Sequence, residues 1–183
     1  SLIRDVTASL EDYDPTPAAR RIDQFVDENL SNWYVRLNRK RFWGGELTAD
    51  KLAAYQTLYT CLETVVMLAA PIAPFITDRI FCDLNAISGR HTESSVHLAE
   101  YPMCNAALID SQLETMMSLA QRASSMVLAL RRKVNIKVRQ PLQKIIIPVL
   151  DKAMAAHIEK VRALIMGEVN VKDIELIVSS LHF

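Results

Sequence analysis

Apolar residues recur at three- and four-residue steps through most of this chain, a spacing that predicts helices as its main material. The first element, Ser1 to about Tyr13, stops before "DPTP" and starts without an N-cap, as the tail of a helix cut from a longer chain would. Thr16 followed by Pro17 reads as an N-cap with proline at the first helical position, opening a helix expected to reach Trp43, where "GG" breaks it. Ile22, Val26, Leu30, Trp33 and Leu37 form its buried stripe, which puts Trp33 in the core. At about 100° per residue, Arg36, Arg39, Lys40 and Trp43 gather on one flank, while Phe42 points nearly opposite the stripe.

A third helix is expected from Thr48 as N-cap through "LAAYQTLYTCLETVVMLAA"; it is apolar on more than one face, which suits a central position. Pro71 and Pro74 should kink or break it, and "FITDRIFCDLN" forms a further helix closing at Asn85. Residues 86–105 are the largest irregular segment, with "SVHLAEYP" as a short alternating piece. A long helix from about Ala106 to Lys133 carries the stripe Leu113, Met116, Met117, Ala120, Ala123, Val127 and Leu130.

After it the period falls to two. Ile136 and Val138 alternate with Lys137 and Arg139, and "LQKIIIPVL" is rich in β-branched residues, so two extended segments are expected to hinge at Pro141. A helix from Asp151 as N-cap to Gly167 as C′ and a strand in "VNVKDIELIV" follow. The pattern therefore predicts a mainly α chain, with a helical bundle over residues 1–134 and a small α+β unit over residues 135–183.

Composition narrows the function. Half of the 183 residues are apolar, enough for a sizeable core, and 21 Lys and Arg balance 21 Asp and Glu. A chain with no net charge attracts nucleic acid or membrane only through local patches. Cys61, Cys82 and Cys104 lie far apart and suit reduced, buried thiols rather than a disulfide framework or zinc knuckle. The longest apolar run, Thr64 to Ile76, is too short to span a bilayer and holds two prolines, and "SLIRDVTASLEDYD" does not resemble a signal peptide, so a cytoplasmic protein is expected. There is no GxxxxGK[ST] or GxGxxG loop. His91, His97, His157 and His182 have no partner at i+4, and His91, Glu93 and His97 are a poor metal set. No residue is marked as a nucleophile, so neither a catalytic site nor a metal site is expected on this chain.

Two basic constellations remain. "SNWYVRLNRKRFW" gathers Arg36, Arg39, Lys40 and Arg41 with Phe42 and Trp43, combining bidentate phosphate donors with flat rings as unpaired RNA requires. The same residues also suit a helix end whose cations favour its negative dipole, with the ring packed. Arg131, Arg132, Lys133, Lys137 and Arg139 form the second set, able to follow a phosphate backbone or simply to solvate a helix end and a strand face.

"LSNWYVRLNRKRFWGGE" and "NIKVRQPLQKIIIPV" resemble the C-terminal region of isoleucyl-tRNA synthetases, the helical anticodon-binding domain of class Ia synthetases. The similarity continues through "TASLEDYDPTPAARRI", "LAAPIAPFITDRIF" and "SVHLAEYP" and covers most of the chain. The family motif falls on Trp33, Arg36, Arg39, Arg41, Phe42 and Trp43, and its V-R-Q-P-L on Val138 to Leu142. The resemblance implies a monomeric domain holding the anticodon arm of isoleucine tRNA, with no membrane partner. A catalytic domain elsewhere in the same polypeptide would use ATP and Mg to aminoacylate that tRNA. The HIGH-type and KMSKS-type motifs and the cysteines of a C-terminal zinc module are absent from this sequence. A helical scaffold or dimerisation module without RNA binding is the alternative, favoured by the neutral charge and long apolar stripes.

Overall fold

The computed structural model describes residues 1–43 and 45–178. The protein is mainly helical and divides into two compact units, residues 1–109 and 110–183.

In the first unit, α1 (Leu2–Glu11) packs on α2 (Pro15–Gln24). The cap of α2 is Asp14, whose carboxylate accepts the Thr16 N–H at 3.2 Å, and not Thr16. Both Asp14-Pro15 and Thr16-Pro17 satisfy the sequence rule. The earlier pair prevails because Pro17, as the third helical residue, has no intrahelical N–H partner to lose. A π-helical stretch (Phe25–Val35) and the short α3 (Arg39–Trp43) follow.

Helix α4 (Ala49–Ala69) starts at Thr48, whose hydroxyl accepts the Lys51 N–H at 3.2 Å. It is central as its composition predicts. Leu68 joins Val6, Ala18 and Ile22 in one core cluster, while Val66 and Ala70 join Phe81 and Val96 in another. By length and composition α4 could cross a membrane, a test that central helices of water-soluble bundles also pass. Within it, Glu63 pairs with the Arg90 guanidinium and shares a hydrogen bond with His91.

The two prolines break the chain between α4 and α5 (Pro74–Ser88). α5 ends at Gly89, with φ +60°, rather than at Asn85. The Asn85 amide is instead used to catch the returning chain, donating to the His91 carbonyl at 2.8 Å and accepting the His91 N–H at 2.9 Å. The alternating "SVHLAEYP" forms no strand; Val96–Leu98 is one 3-10 turn whose buried Val96 plugs the second cluster. Asp78 fixes that turn, accepting the Ser95 hydroxyl at 2.7 Å and the Val96 N–H at 2.9 Å.

These two bonds hold the Asp78 carboxyl below its ordinary value. A depressed pKa means that the tether stabilises the fold above the ordinary carboxylate range, near pH 3.9, and is lost as pH falls through the folded value. Ser95→Ala removes the larger cause and is expected to raise the Asp78 pKa in a carboxyl NMR titration. An unchanged titration in Ser95→Ala would show that the hydroxyl does not hold the charge.

The second unit opens on Asp110, whose carboxylate caps α6 (Ser111–Lys133) through the Leu113 N–H at 2.9 Å. The helix starts later than its pattern predicts because Ala106–Leu108 is a separate 3-10 turn capped by Asn105. Its buried face is Ala120, Ala123, Ser124 and Arg131, while Leu113 and Leu130 are exposed. β1 (Ile145–Val149) and β2 (Ile174–Val178) pair in parallel, Ile145 opposite Ile174 and Val149 opposite Val178. Parallel strands need a long crossover, here α7 (Lys152–Val169), capped by Asp151 and ended by Asn170 with φ +52° rather than by Gly167. Pro148 is tolerated because a two-stranded sheet has only edges.

Helix α6 packs on α7, so the division falls at residue 109 and α6 belongs with the α+β unit, where the sequence pattern suggested a boundary at residue 134. The expected strand over "NIKVRQP" is a turn: Asn135 takes φ +61° and the Gln140 N–H bonds the Lys137 carbonyl at 3.0 Å. Only Leu142 bridges to Val171 before β1 begins. Residue His182 lies outside the described residues.

Candidate nucleic-acid interface

The first basic constellation sits where the π-helical stretch gives way to α3. Runs of π-helix are rare and this one covers eleven residues. Its i,i+5 spacing brings Asn32 to Asp27, with the amide donating to the carboxylate at 2.8 Å. The wider turn also rotates every later residue away from its place on an α-helical projection. Trp33 consequently lies half-buried, and Phe42 faces inward with 8% of its surface exposed.

Phe42 meets Tyr34 and Tyr55 edge-on at ring separations of 6.2 and 5.1 Å, and its carbonyl accepts the Tyr55 hydroxyl at 3.1 Å. It is therefore a core residue, unavailable to RNA. Arg41 is likewise committed. Its Nε and Nη2 donate to the two Asp50 carboxylate oxygens at 2.7 Å each, Nη2 also reaches the Asp50 carbonyl at 3.0 Å, and Nη1 donates to the Asn38 side chain at 2.8 Å. This fork holds the guanidinium above its ordinary pKa.

Phe42 from within and Arg41 from the side thus fasten α3 to the start of α4. On that support, Trp43 is 79% exposed and the Arg39 guanidinium lies 5.2 Å over its ring. Arg36 and Lys40 are exposed on the same short segment. A flat ring, a stacked guanidinium and further cations make a surface on which an unpaired base can stack while its phosphates are neutralised.

The second constellation is similarly split. Arg131 is 2% exposed, and it donates from Nη1 to the Lys137 and Gln140 carbonyls at 3.2 and 3.0 Å and from Nη2 to the Asn170 carbonyl at 2.9 Å. The Asn170 amide completes the clasp by donating to the Val138 carbonyl at 2.8 Å. Arg131 therefore shapes the turn, while Arg132, Lys133, Lys137 and Arg139 are exposed beside or upon it. Lys137 and Arg139 share a turn, not a strand face.

Asp50, Asn38 and Asn170 escaped the sequence reading. Pairs nine and 39 residues apart, Arg41 with Asp50 and Arg131 with Asn170, leave no periodic trace. Neither histidine of the loop gathers a metal set: His91 bonds Glu63 at 3.0 Å and His97 bonds the Pro74 carbonyl at 3.2 Å. Among the described residues no three His, Cys, Asp or Glu side chains could hold a metal ion. The three cysteines are free and half-buried, and burial pushes the Cys61 thiol up.

The sequence family described as the anticodon-binding domain of tRNA ligase matches residues 1–146. The chain belongs to that family. Within it, the chain is similar to an isoleucine–tRNA ligase of Bacteroides thetaiotaomicron, 62% identical over 177 residues. One from Cytophaga hutchinsonii is 57% identical over 177 residues and one from Dehalococcoides mccartyi 43% identical over 171. These alignments cover 97%, 97% and 93% of the chain but only 15%, 16% and 17% of the relatives' own lengths. The resemblance seen in the sequence motifs is thus borne out, and the chain corresponds to a small part of each curated relative it matches.

Proposed function

We propose that this chain is the anticodon-arm binding domain of an isoleucine–tRNA ligase. It would position isoleucine tRNA for ATP-dependent aminoacylation by a catalytic domain of the same polypeptide, in the cytoplasm. The observation that carries this reading is the exposed Arg39–Trp43 stack, fastened by Arg41 and Phe42, in a chain of the anticodon-binding family. ATP and Mg belong to that catalytic domain in this reading. An apolar strip at the start of α5, where Phe75 is 91% exposed and Ile76 follows it, with Ile72 in the turn before, supplies a surface for contact with other parts of such a polypeptide.

Binding of isoleucine tRNA is expected to be weak and steeply salt-dependent, because a few local cations in a neutral chain must carry it. Arg39→Ala and Lys40→Ala should each lower the salt slope by about one while changing stability by less than about 0.5 kcal/mol. Trp43→Ala should cost about 1–3 kcal/mol of binding through lost stacking. Gel shifts across a salt series, paired with melting curves, measure both. Binding that ignores salt, or that is equal for any acidic polymer, would contradict the reading.

A further inference from the structure

A cleft of about 350 Å³ opens on the first unit between the middle of α4 and the chain leaving α5, lined by Tyr55, Gln56, Tyr59, Leu62, Ser88 and Arg90. Its chemistry is mixed in a particular way. The Arg90 guanidinium lies 4.4 Å over the Tyr59 ring, and the Tyr59 hydroxyl shares a 2.6 Å hydrogen bond with Ser88, so the ring and its covering cation are held in place. Tyr55 offers a second, partly exposed ring, and Leu62 an apolar wall. Gln56, exposed at the edge, carries both an amide donor and an amide acceptor.

Flat surfaces, an apolar wall and one amide of both polarities suit a planar heterocycle with donors and acceptors along one edge. The volume lies within the roughly 300–1,000 Å³ of small-molecule sites. The cleft also continues the surface already described. Tyr55 lines it while packing on Phe42 and donating to its carbonyl, and Trp43 is the next residue. Tyr55 thus ties the cleft to the residue before Trp43, and Arg90 adds a cation to the lining.

We infer that this cleft is a nucleobase-binding pocket, in which one unpaired base of the bound RNA stacks against the Arg90–Tyr59 pair and is read along its edge by Gln56. The inference rests on the reading of the chain as an anticodon-arm binder and adds to it a second base site, separate from Trp43.

The test uses the full chain and an isoleucine-tRNA anticodon stem-loop in which each unpaired loop position is replaced, one at a time, by an abasic nucleotide. Gln56 and Arg90 lie at the surface, so Gln56→Ala and Arg90→Ala leave the core intact. One abasic position is expected to weaken binding to the wild-type chain by roughly five- to 150-fold, the range of one stacked base. The same abasic position should cost much less in Arg90→Ala, because the pocket contact is already gone. Gln56→Ala should reduce discrimination among the four bases at that position. If every abasic loop loses as much affinity in Arg90→Ala as in wild type, while Trp43→Ala and Arg39→Ala still weaken binding, the pocket is overturned and the anticodon reading stands. If the wild-type chain fails to bind the stem-loop at low salt, both fall.

Discussion

Replacing Phe42 with alanine is expected to cost about 3–5 kcal/mol, the range for truncating a buried aromatic side chain. The ring is 8% exposed and makes edge-on contacts with Tyr34 and Tyr55. Each such aromatic pair contributes about 0.5–1.5 kcal/mol beyond area burial. Domains hold only about 5–15 kcal/mol in total, so the variant should be close to unfolding around α3 and α4. Hydrogen exchange of the 39–60 segment, with denaturant unfolding, measures the loss. Wild-type protection in Phe42→Ala would mean that the ring is a surface group after all, as the helical projection suggested. Trp33→Ala, at a half-buried position, is expected to cost less than Phe42→Ala.

Arg131→Met is expected to remove about 3 kcal/mol or more from the second unit. Exchanging a buried charge for an apolar side chain can be neutral when its partner is removed as well. Here the partners are the backbone carbonyls of Lys137, Gln140 and Asn170, which no side-chain substitution takes away. Hydrogen bonds from a charged donor contribute about 1.5–3 kcal/mol each, and three on one side chain are not additive. Arg131→Lys keeps the charge but not the fork, so it should fall between Met and wild type. Urea unfolding of the three proteins orders them; identical midpoints would show that the clasp adds nothing to stability. The same variants should also weaken the salt dependence of RNA binding, because Lys137 and Arg139 sit on the turn that Arg131 holds.

The mainly helical fold, the central α4, the proline break, the Thr48 and Asp151 caps and the strand–helix–strand order of "LQKIIIPVL" to "VNVKDIELIV" are legible because each rests on local chemistry: a cap, a missing N–H or a period. The division of "SNWYVRLNRKRFW" into core and surface was legible only in outline. An α-helical projection places Trp43 and Arg39 on the exposed flank, as the structure does, but turns Phe42 outward because the π-helical stretch upstream resets the angular count. Arg41 and Arg131 look in sequence like any other surface cation. What commits them is a pairing across a loop, with Asp50 in one case and three carbonyls in the other, and only Arg131 is buried by it. "NIKVRQP" misled for a related reason: its alternation is that of a strand, but the Arg131 fork and the left-handed Asn135 bend it into a turn. The α6 stripe failed at Leu113 and Leu130 because α7 packs instead along a face of small residues.

The parallel pairing of β1 with β2 also sets an order on biosynthesis. Ile145 is matched with Ile174, and Val149 with Val178, so β1 leaves the ribosome well before its partner exists. The second unit cannot close until residue 178 has emerged, and a chain stopped short of residue 174 would carry β1 with no strand to pair. Among the described residues, the two core clusters of the first unit are built from residues 2–99. The partners that hold the Trp43 platform, Phe42, Asp50 and Tyr55, have likewise all been synthesised before α6 begins.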